Sequence, residues 1–145
     1  MRKTLPALVA ALLCACSNGS RAVTQHKAAP EAVSAAANGR SIFLTGKDSA
    51  GFQIMAASPP LRTSCAACHR PNGSGGVHLP GGAISADLRH RTLSSGAHPY
   101  TLLTLERAIS TGVDNEGGPL NPVMPRWKMT PRDLHDVAAF VETLK

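Results

Sequence analysis

Three residues in this sequence have the types and spacing that covalent cofactor chemistry needs: Cys65, Cys68 and His69, in the run Cys-Ala-Ala-Cys-His. Two thiols at this spacing can add to the two vinyl groups on one edge of a porphyrin. A histidine directly after the second cysteine is then held beside the iron, where an imidazole nitrogen can bind it. The run therefore predicts one covalently attached haem c, held through Cys65 and Cys68, with His69 as an axial ligand of the iron.

The same run has three other interpretations. A C-x-x-C pair can be a redox-active dithiol, half of a zinc site or a structural disulfide. A redox motif is expected beside a strand–helix–strand pattern, which this sequence does not show. A zinc site needs two further ligands at paired spacing, and the only other cysteines, Cys14 and Cys16, fall in a predicted signal segment. Haem attachment is favoured because it accounts for the histidine that directly follows the second cysteine as well as for the two cysteines.

A second axial ligand is expected from the C-terminal half of the chain. We predict Met124, because Pro125 directly after it disfavours helix and leaves a loop that can present the sulfur to iron. Met129 lies close to the last predicted helix, where packing in the core is the expected role. The histidines considered for the same position are His78, His90 and His98. The alternative role for Met124 itself is a core methionine that fills a gap.

Two helices are expected on either side of the cysteine–histidine run. The first spans residues 30–44 and places Gly39 and Phe43 on one face, so that another helix can approach closely at the glycine. The second spans residues 101–111, with apolar residues at helical spacing and Gly112 just beyond its end.

The last helix has the clearest signals. Thr130 is predicted as its cap, Pro131 as its first residue, and Asp133 as the partner of Thr130 in a capping box. Helical spacing also predicts a buried stripe with Phe140 beside it, which consists of Leu134, Val137, Ala138, Val141 and Leu144.

The connections are rich in glycine and proline. Residues 45–64 form a connection that contains a turn at 48–51. Three apolar residues of this connection, Phe52, Ile54 and Met55, are expected to fold back on the core. The glycines of the loops at 73–76 and 80–82 lack the lysine and the preceding strand of a phosphate cradle. We expect them to let the backbone pass close to a flat porphyrin.

The N-terminus has the features of an export signal. A basic start at residues 1–3 is followed by an apolar run over 5–13, which is too short to span a bilayer. The stretch 13–16 resembles a bacterial lipoprotein processing box, in which Cys16 becomes the lipidated first residue of the mature chain. The alternative is ordinary signal-peptidase cleavage, for example after Ala22, which would give a soluble periplasmic protein.

The predicted division of the chain is therefore a lipoprotein-like signal peptide over residues 1–15, a flexible tether over 16–35 and one folded domain over 36–145. The tether is small and polar in composition. The residue after Cys16 is Ser17 and not an aspartate. This is similar to lipoproteins destined for the outer membrane. The expected location is the periplasm, with the chain anchored to a membrane by lipid.

Charge gives a weak indication of partners. The formal net charge of +6 falls to +4 when Arg2 and Lys3 leave with the signal peptide. This positive bias could steer an acidic partner surface. The densest basic run, residues 89–91, is interpreted as a solvated loop, and no nucleic-acid partner is predicted.

The layout of the predicted domain resembles a class I, mitochondrial-type cytochrome c with one haem. The Cys65–His69 run comes early in the domain, and Met124-Pro125 follows His69 by 55 positions, similar to the distal-ligand motif of that family. Gly39 and Phe43 match the residues at which the first helix of the family crosses the last, where Phe140 stands at the usual aromatic position. The resemblance implies an all-α fold whose helices wrap around one covalently bound haem, with long irregular loops.

The resemblance also implies a haem pocket. Ala86 stands where the family usually has a proline, whose carbonyl holds the N–H of the proximal imidazole. Leu88 is expected to cover the haem on the histidine side, and Pro125 and Trp127 to adjoin the pocket, with structural packing as the expected role of the tryptophan. Two features depart from the family pattern. Arg70 replaces the usual glycine after the haem histidine, and the connection between the first helix and the haem run is longer than in small members.

The function implied is that of an electron carrier and not of an enzyme. The expected partners are a dehydrogenase, a quinol-oxidising complex, and a terminal oxidase or reductase, and the chain could also be the cytochrome subunit of a larger redox enzyme. The alternative is a haem enzyme or a sensor of gas or peroxide, in which the sixth ligand can be displaced.

Overall fold

The computed structural model describes residues 30–57 and 63–145, with the backbone alone for residues 30–34. Within these residues it contains five helices, one 3₁₀ turn and one two-stranded antiparallel sheet. This helix-rich fold agrees with the predicted all-α class. The elements in chain order are α1 (Pro30–Thr45), β1 (Met55–Ala56), α2 (Ala66–His69), the 3₁₀ turn (Pro80–Gly82), α3 (His90–Leu93), α4 (Leu102–Thr111), β2 (Trp127–Lys128) and α5 (Pro131–Glu142).

The two later long helices begin and end on local signals. At the start of α4, the Oγ1 of Thr101 accepts a hydrogen bond from the backbone N–H of Thr104, whose own Oγ1 accepts from the N–H of Thr101. The helix ends at Gly112, which adopts a left-handed φ of 72°. At the start of α5, the Oγ1 of Thr130 accepts from the N–H of Asp133 at 3.1 Å. Gly112 and Thr130 therefore confirm the helix ends predicted from capping residues.

The first and last helices cross in close contact at Gly39. A Cβ atom added to this glycine would lie 2.0 Å from the backbone oxygen of Asp136. One turn further along α1, the ring of Phe43 is fully buried and lies 5.4 Å from the ring of Phe140, at an interplanar angle of 52°. This tilted arrangement is one that aromatic pairs prefer. The crossing predicted from Gly39 and Phe43 is therefore confirmed.

A buried polar cluster lies beside the crossing. The amide nitrogen of Asn38 donates hydrogen bonds of 2.8 Å to Oδ1 of Asp133 and to Oδ2 of Asp136. Its amide oxygen accepts from the backbone N–H of Ser49 at 2.7 Å. Asn38 and Asp136 are 3% and 4% exposed, so their polar atoms depend on hydrogen-bond partners within the protein. The sequence pattern does not show this cluster, because an asparagine on α1 has no local partner.

The apolar core confirms most of the predicted residues. Val137, Ala138, Val141 and Leu144 are buried as expected from the stripe on α5, whereas Leu134 is only partly buried. The other buried members of the core cluster come from α1, α4, β2 and the segment before β1, and are Ile42, Phe43, Ile54, Leu105, Ile109 and Trp127.

The prediction for the connection after α1 was wrong at two positions. Ile54 is buried, but Phe52 and Met55 are 71% and 63% exposed. For Met55 the cause is the strand pairing of this segment, which places successive side chains on opposite sides of the backbone, whereas Phe52 lies before β1, directly after the turn at 48–51. The pairing aligns Met55 with Lys128 and Ala56 with Trp127. The predicted turn at 48–51 is present, since the N–H of Gly51 donates to the carbonyl of Asp48.

Three further predictions concern the ends of elements and the N-terminus. Helix α1 begins at Pro30, so residues 30–35 of the predicted tether are helical, while the signal peptide and Cys16 lie outside the described residues. Residues 90 and 91 belong to the short helix α3, and not to a loop, although both are exposed. In the described parts of the chain, none of the helices has the length and apolarity to cross a bilayer.

Candidate cofactor site

Within the described residues, a large cavity lies among α1, α2, α4, α5 and the loops between them. Its empty volume is about 1040 Å³, including space at its open mouth. The predicted site residues that fall within the described part of the chain all line it. They are Cys65, Cys68, His69, Ala86, Leu88, Met124, Pro125 and Trp127.

The wall formed by α2 carries the cysteines and the histidine. Cys65 precedes the helix, and its carbonyl accepts hydrogen bonds from the N–H groups of Cys68 and His69, at 3.1 and 2.8 Å. This single turn of helix places the two thiols and the imidazole on the same cavity. The local sequence is sufficient for this arrangement, because positions three and four apart share a helix face.

The orientation of His69 is set by a backbone carbonyl. Its Nδ1 lies 2.8 Å from the oxygen of Ala86, which can only accept, so Nδ1 carries the proton. The other ring nitrogen, Nε2, is left with a lone pair that could bind a metal. Burial lowers the pKa of His69, against a smaller opposite effect of the bond to Ala86, and this favours the neutral imidazole that metal binding requires.

Gly75 and Ser85 fix the position of the Ala86 carbonyl. A Cβ atom on Gly75 would lie 2.3 Å from that oxygen, so only glycine lets the two backbone segments lie together here. The hydroxyl of the buried Ser85 donates to the carbonyl of Cys68 at 2.8 Å and accepts from the N–H of Val77 at 2.9 Å. We missed Ser85 in the sequence, because a serine in a glycine-rich loop gives no sign of a long-range bond.

The glycines at 73–76 were expected to let the backbone pass close to a porphyrin, but two of them lie against other parts of the chain. Gly73 lies against the side chain of Leu144, and Gly75 against the backbone of Ser85 and Ala86. Neither glycine is among the residues that line the cavity.

The surroundings of Cys65 disfavour its thiolate form. Burial raises the pKa of the thiol to about 12, against a smaller decrease from a backbone hydrogen bond and with a minor further increase from Cys68.

A second wall of the cavity comes from the loop between α4 and β2. Leu120, Asn121, Val123, Met124 and Pro125 all line it. The loop is fixed to α4 by a 2.8 Å bond from the N–H of Leu120 to the carbonyl of Gly112. The N–H groups of Val123 and Met124 donate to Oδ1 and to the carbonyl of Asn121, at 3.0 and 3.1 Å.

The alternatives to Met124 lie elsewhere. Met129 is partly buried against the apolar core and does not line the cavity. His78, His90 and His98 are exposed, and none of them is among the lining residues. Met124 is therefore the methionine that shares the cavity with His69, whereas Met129 has the packing role expected of it.

Arg70 has an unusual backbone. Its φ of 65° and ψ of 158° lie in a region that is essentially limited to glycine. This explains physically why a glycine suits the position after the histidine, where the family pattern usually has one. In this chain the position holds an arginine, whose backbone is strained.

These residues fit a covalently attached haem. The cavity combines two thiols, an imidazole with its Nε2 available and a thioether, and most of its other lining side chains are apolar. The zinc interpretation has no support in residues 30–57 and 63–145, where no group of three or more His, Cys, Asp or Glu is placed to hold a metal ion. Cys65 and Cys68 are both thiols.

Comparison with models of protein families matches residues 36–145 to the family described as Cytochrome c. No match was found among curated proteins or among solved structures. The matched residues make up most of the chain and contain every described residue that lines the cavity. The chain therefore belongs to the cytochrome c family, a family of electron-transfer proteins whose cofactor is covalently bound haem c.

Proposed function

We propose that this protein is a class I electron carrier with one haem, attached through Cys65 and Cys68 and ligated by His69 and Met124. The observation that carries the proposal is that these four side chains line one cavity, and that the other candidate ligands do not. The sequence contains one Cys-x-x-Cys-His run, which supports a single haem.

The chemistry follows from the two axial side chains. Haem iron, when bound, supplies a centre that can take up and release one electron. His69 and Met124 would occupy both axial positions, so that substrates have no access to the metal and electrons pass without a bond being made or broken. Compared with a second imidazole, the thioether of Met124 favours the reduced state and raises the potential.

The rest of the chain keeps this arrangement fixed. Ala86 holds the ring of His69 by the bond to Nδ1, which also increases the basicity of the ligand nitrogen. Apolar side chains such as Phe43, Ile109 and Val141 exclude water from the cavity wall. A dry, rigid surrounding keeps the geometry similar in both oxidation states, which is what rapid electron transfer needs.

The proposed location is the periplasm. It rests on the export signal over residues 1–15 and on the fact that haem c is attached outside the cytoplasm. Cys16 would carry the lipid that anchors the chain, with the outer membrane as the favoured destination. The proposed partners are a dehydrogenase or a quinol-oxidising complex as donor and a terminal oxidase or reductase as acceptor, and the mild positive charge suits an acidic docking surface.

The decisive test of the ligand set is optical. Ferric protein with a methionine-ligated haem has a charge-transfer band in the near infrared, and its ferrous form should not react with carbon monoxide. Met124→Ala should abolish the band and allow carbon monoxide to bind, and Met129→Ala is the matched control that should do neither. If the wild-type protein itself binds carbon monoxide, a displaceable sixth ligand and a sensing or catalytic role would replace the proposal.

Covalent attachment and anchoring have separate tests. Haem staining of a denaturing gel should lose intensity in Cys65→Ala and in Cys68→Ala, because one thioether bond is removed in each. Cys16→Ser should move the protein from the membrane fraction to the soluble periplasmic fraction. If the protein is soluble before this substitution, cleavage after a site such as Ala22 is the correct alternative.

A further inference from the structure

The side chain of Arg126 lies against the loop that carries Met124. Its Nη1 donates to the carbonyl of Met124 at 2.5 Å and to the carbonyl of Asn121 at 3.2 Å. Its Nη2 donates to the carbonyl of Leu120 at 2.8 Å. One guanidinium thus holds three backbone carbonyls, which lie on both sides of the loop that presents the thioether.

The position of the guanidinium depends on Gly112. A Cβ atom on this residue would lie 1.9 Å from Nε of Arg126 and 2.1 Å from its Cζ. The glycine ends α4, so the positive charge rests at the C-terminal end of a ten-residue helix, where the helix dipole favours a cation. Gly112 therefore has two roles, since it ends α4 and also makes room for Arg126.

The backbone of Arg126 is held by the connection that follows α1. The carbonyl of Arg126 accepts a hydrogen bond of 2.8 Å from the N–H of Ala57. The two residues before Ala57 and the two residues after Arg126 form the antiparallel pairing of β1 with β2. This gives the long connection a specific role, because it fixes the point from which the arginine side chain reaches back to the loop.

The contact of Arg126 matters because the loop that carries Met124 has few backbone hydrogen bonds of its own. Residues 120–125 contain neither helix nor strand, so their carbonyls have few partners of the kind that secondary structure supplies. Arginine suits this task, because its planar group offers several donors in a fixed arrangement. Bonds from a charged donor are also stronger than those between neutral groups.

We propose that Arg126 is a positioning residue that keeps Met124 in place as an iron ligand, with the strand pairing of residues 55–57 as its support. This inference rests on the proposed function, because it assumes that Met124 is the sixth ligand. Arg126 does not line the cavity and acts only through the loop.

The test uses the haem-loaded protein and two substitutions of the arginine. Arg126→Gln removes the charge and leaves one donor nitrogen, and Arg126→Lys keeps the charge but loses the two-nitrogen fork. Arg40→Gln, at an exposed position on α1, is the control for the loss of one positive charge. The measurements are the near-infrared band of the ferric form, the fraction of ferrous protein that binds carbon monoxide, and the thermal midpoint from far-ultraviolet circular dichroism.

We expect Arg126→Gln to weaken the near-infrared band and to raise the fraction reactive to carbon monoxide at least tenfold, which corresponds to about 1.4 kcal/mol. Arg126→Lys should lie between Arg126→Gln and the wild type, and Arg40→Gln should match the wild type. If Arg126→Gln yields too little haem-loaded protein, Arg126→Lys carries the same comparison.

Two results separate this inference from the proposed function. An Arg126 variant with a lower thermal midpoint but an unchanged band and no carbon monoxide binding would show that the arginine only stabilises the fold, and would overturn the inference. Persistence of the band in Met124→Ala would instead overturn the ligand assignment, whatever the Arg126 variants do.

Discussion

Replacing Gly39 with alanine tests the contact on which the domain depends. The added Cβ would lie 2.0 Å from the oxygen of Asp136, 2.6 Å from the carbon of the same carbonyl and 3.0 Å from Cβ of Phe140. Ordinary contact begins near 3.4 Å, so α1 and α5 would have to separate by more than 1 Å at this point. Both nearest atoms belong to the backbone, so a change of side-chain rotamer cannot relieve the overlap.

The magnitude follows from opposing contributions. Alanine stabilises a helix interior over glycine by about 1 kcal/mol. Separation of the helices would weaken the tilted contact between the rings of Phe43 and Phe140, which is worth about 1 kcal/mol. It would also weaken the hydrogen bonds from Asn38 to two carboxylates, which are worth about 1.5–3 kcal/mol each. We therefore expect a net loss of about 3 kcal/mol in the free energy of unfolding. For a domain of this size the thermal midpoint should fall by about 12 °C.

The assay is thermal unfolding of the haem-loaded protein, followed by circular dichroism. Ala37→Gly is the matched control, because it makes the reverse change at an exposed position of the same helix and should cost only about 1 kcal/mol. A Gly39→Ala protein as stable as the wild type would refute the close approach of α1 and α5.

Three further predictions concern polar and strained residues. Asn38→Ala should lower the free energy of unfolding by about 3 kcal/mol in denaturant titrations, because it leaves the buried Asp136 without its amide donor. Arg70→Gly should stabilise the protein by about 1 kcal/mol in the same assay, since relief of a φ of 65° with a ψ of 158° outweighs the extra flexibility of glycine in the unfolded chain. The hydrogen bonds and charge of Arg89 lower the pKa of Asp87, so this carboxylate stabilises the folded state fully above about pH 4 and loses that effect as the pH falls further. Asp87→Asn should therefore reduce the steepness of acid unfolding below pH 4, and a variant whose acid unfolding follows the wild type would contradict the ion pair.

What the sequence could predict depends on how local each signal is. The spacing of apolar residues predicted α4 and α5, and capping residues such as Thr130 predicted where they begin. Gly39 and Phe43 gave the helix crossing because a glycine next to an aromatic on one face has a specific use. The Cys65–His69 run placed three site residues on one turn of helix for the same reason, since all the information lies within five positions.

The contacts that the sequence could not predict join residues far apart in the chain. The bonds of Asn38 span 95 and 98 positions, and the bond from Ser85 to Cys68 spans 17. Met55 was assigned to the core from its apolar character, but the pairing of β1 with β2 leaves it exposed beside the buried Ile54. Such pairings have no periodic signature in a two-residue strand.

The distribution of these contacts indicates how the site achieves its geometry. The helices supply the apolar wall, but each predicted iron ligand is orientated by polar contacts in the loops. Ser85 ties the loop that offers the Ala86 carbonyl to α2, and Arg126 holds the loop that offers Met124. Loss of a helix contact should therefore lower the stability of the whole domain, whereas loss of a loop contact should release one ligand and leave the rest folded. Two measurements distinguish these outcomes: the fraction of ferrous protein that binds carbon monoxide and the fall in the thermal midpoint. Relative to its fall in thermal midpoint, Arg126→Gln should bind much carbon monoxide and Asn38→Ala should bind little.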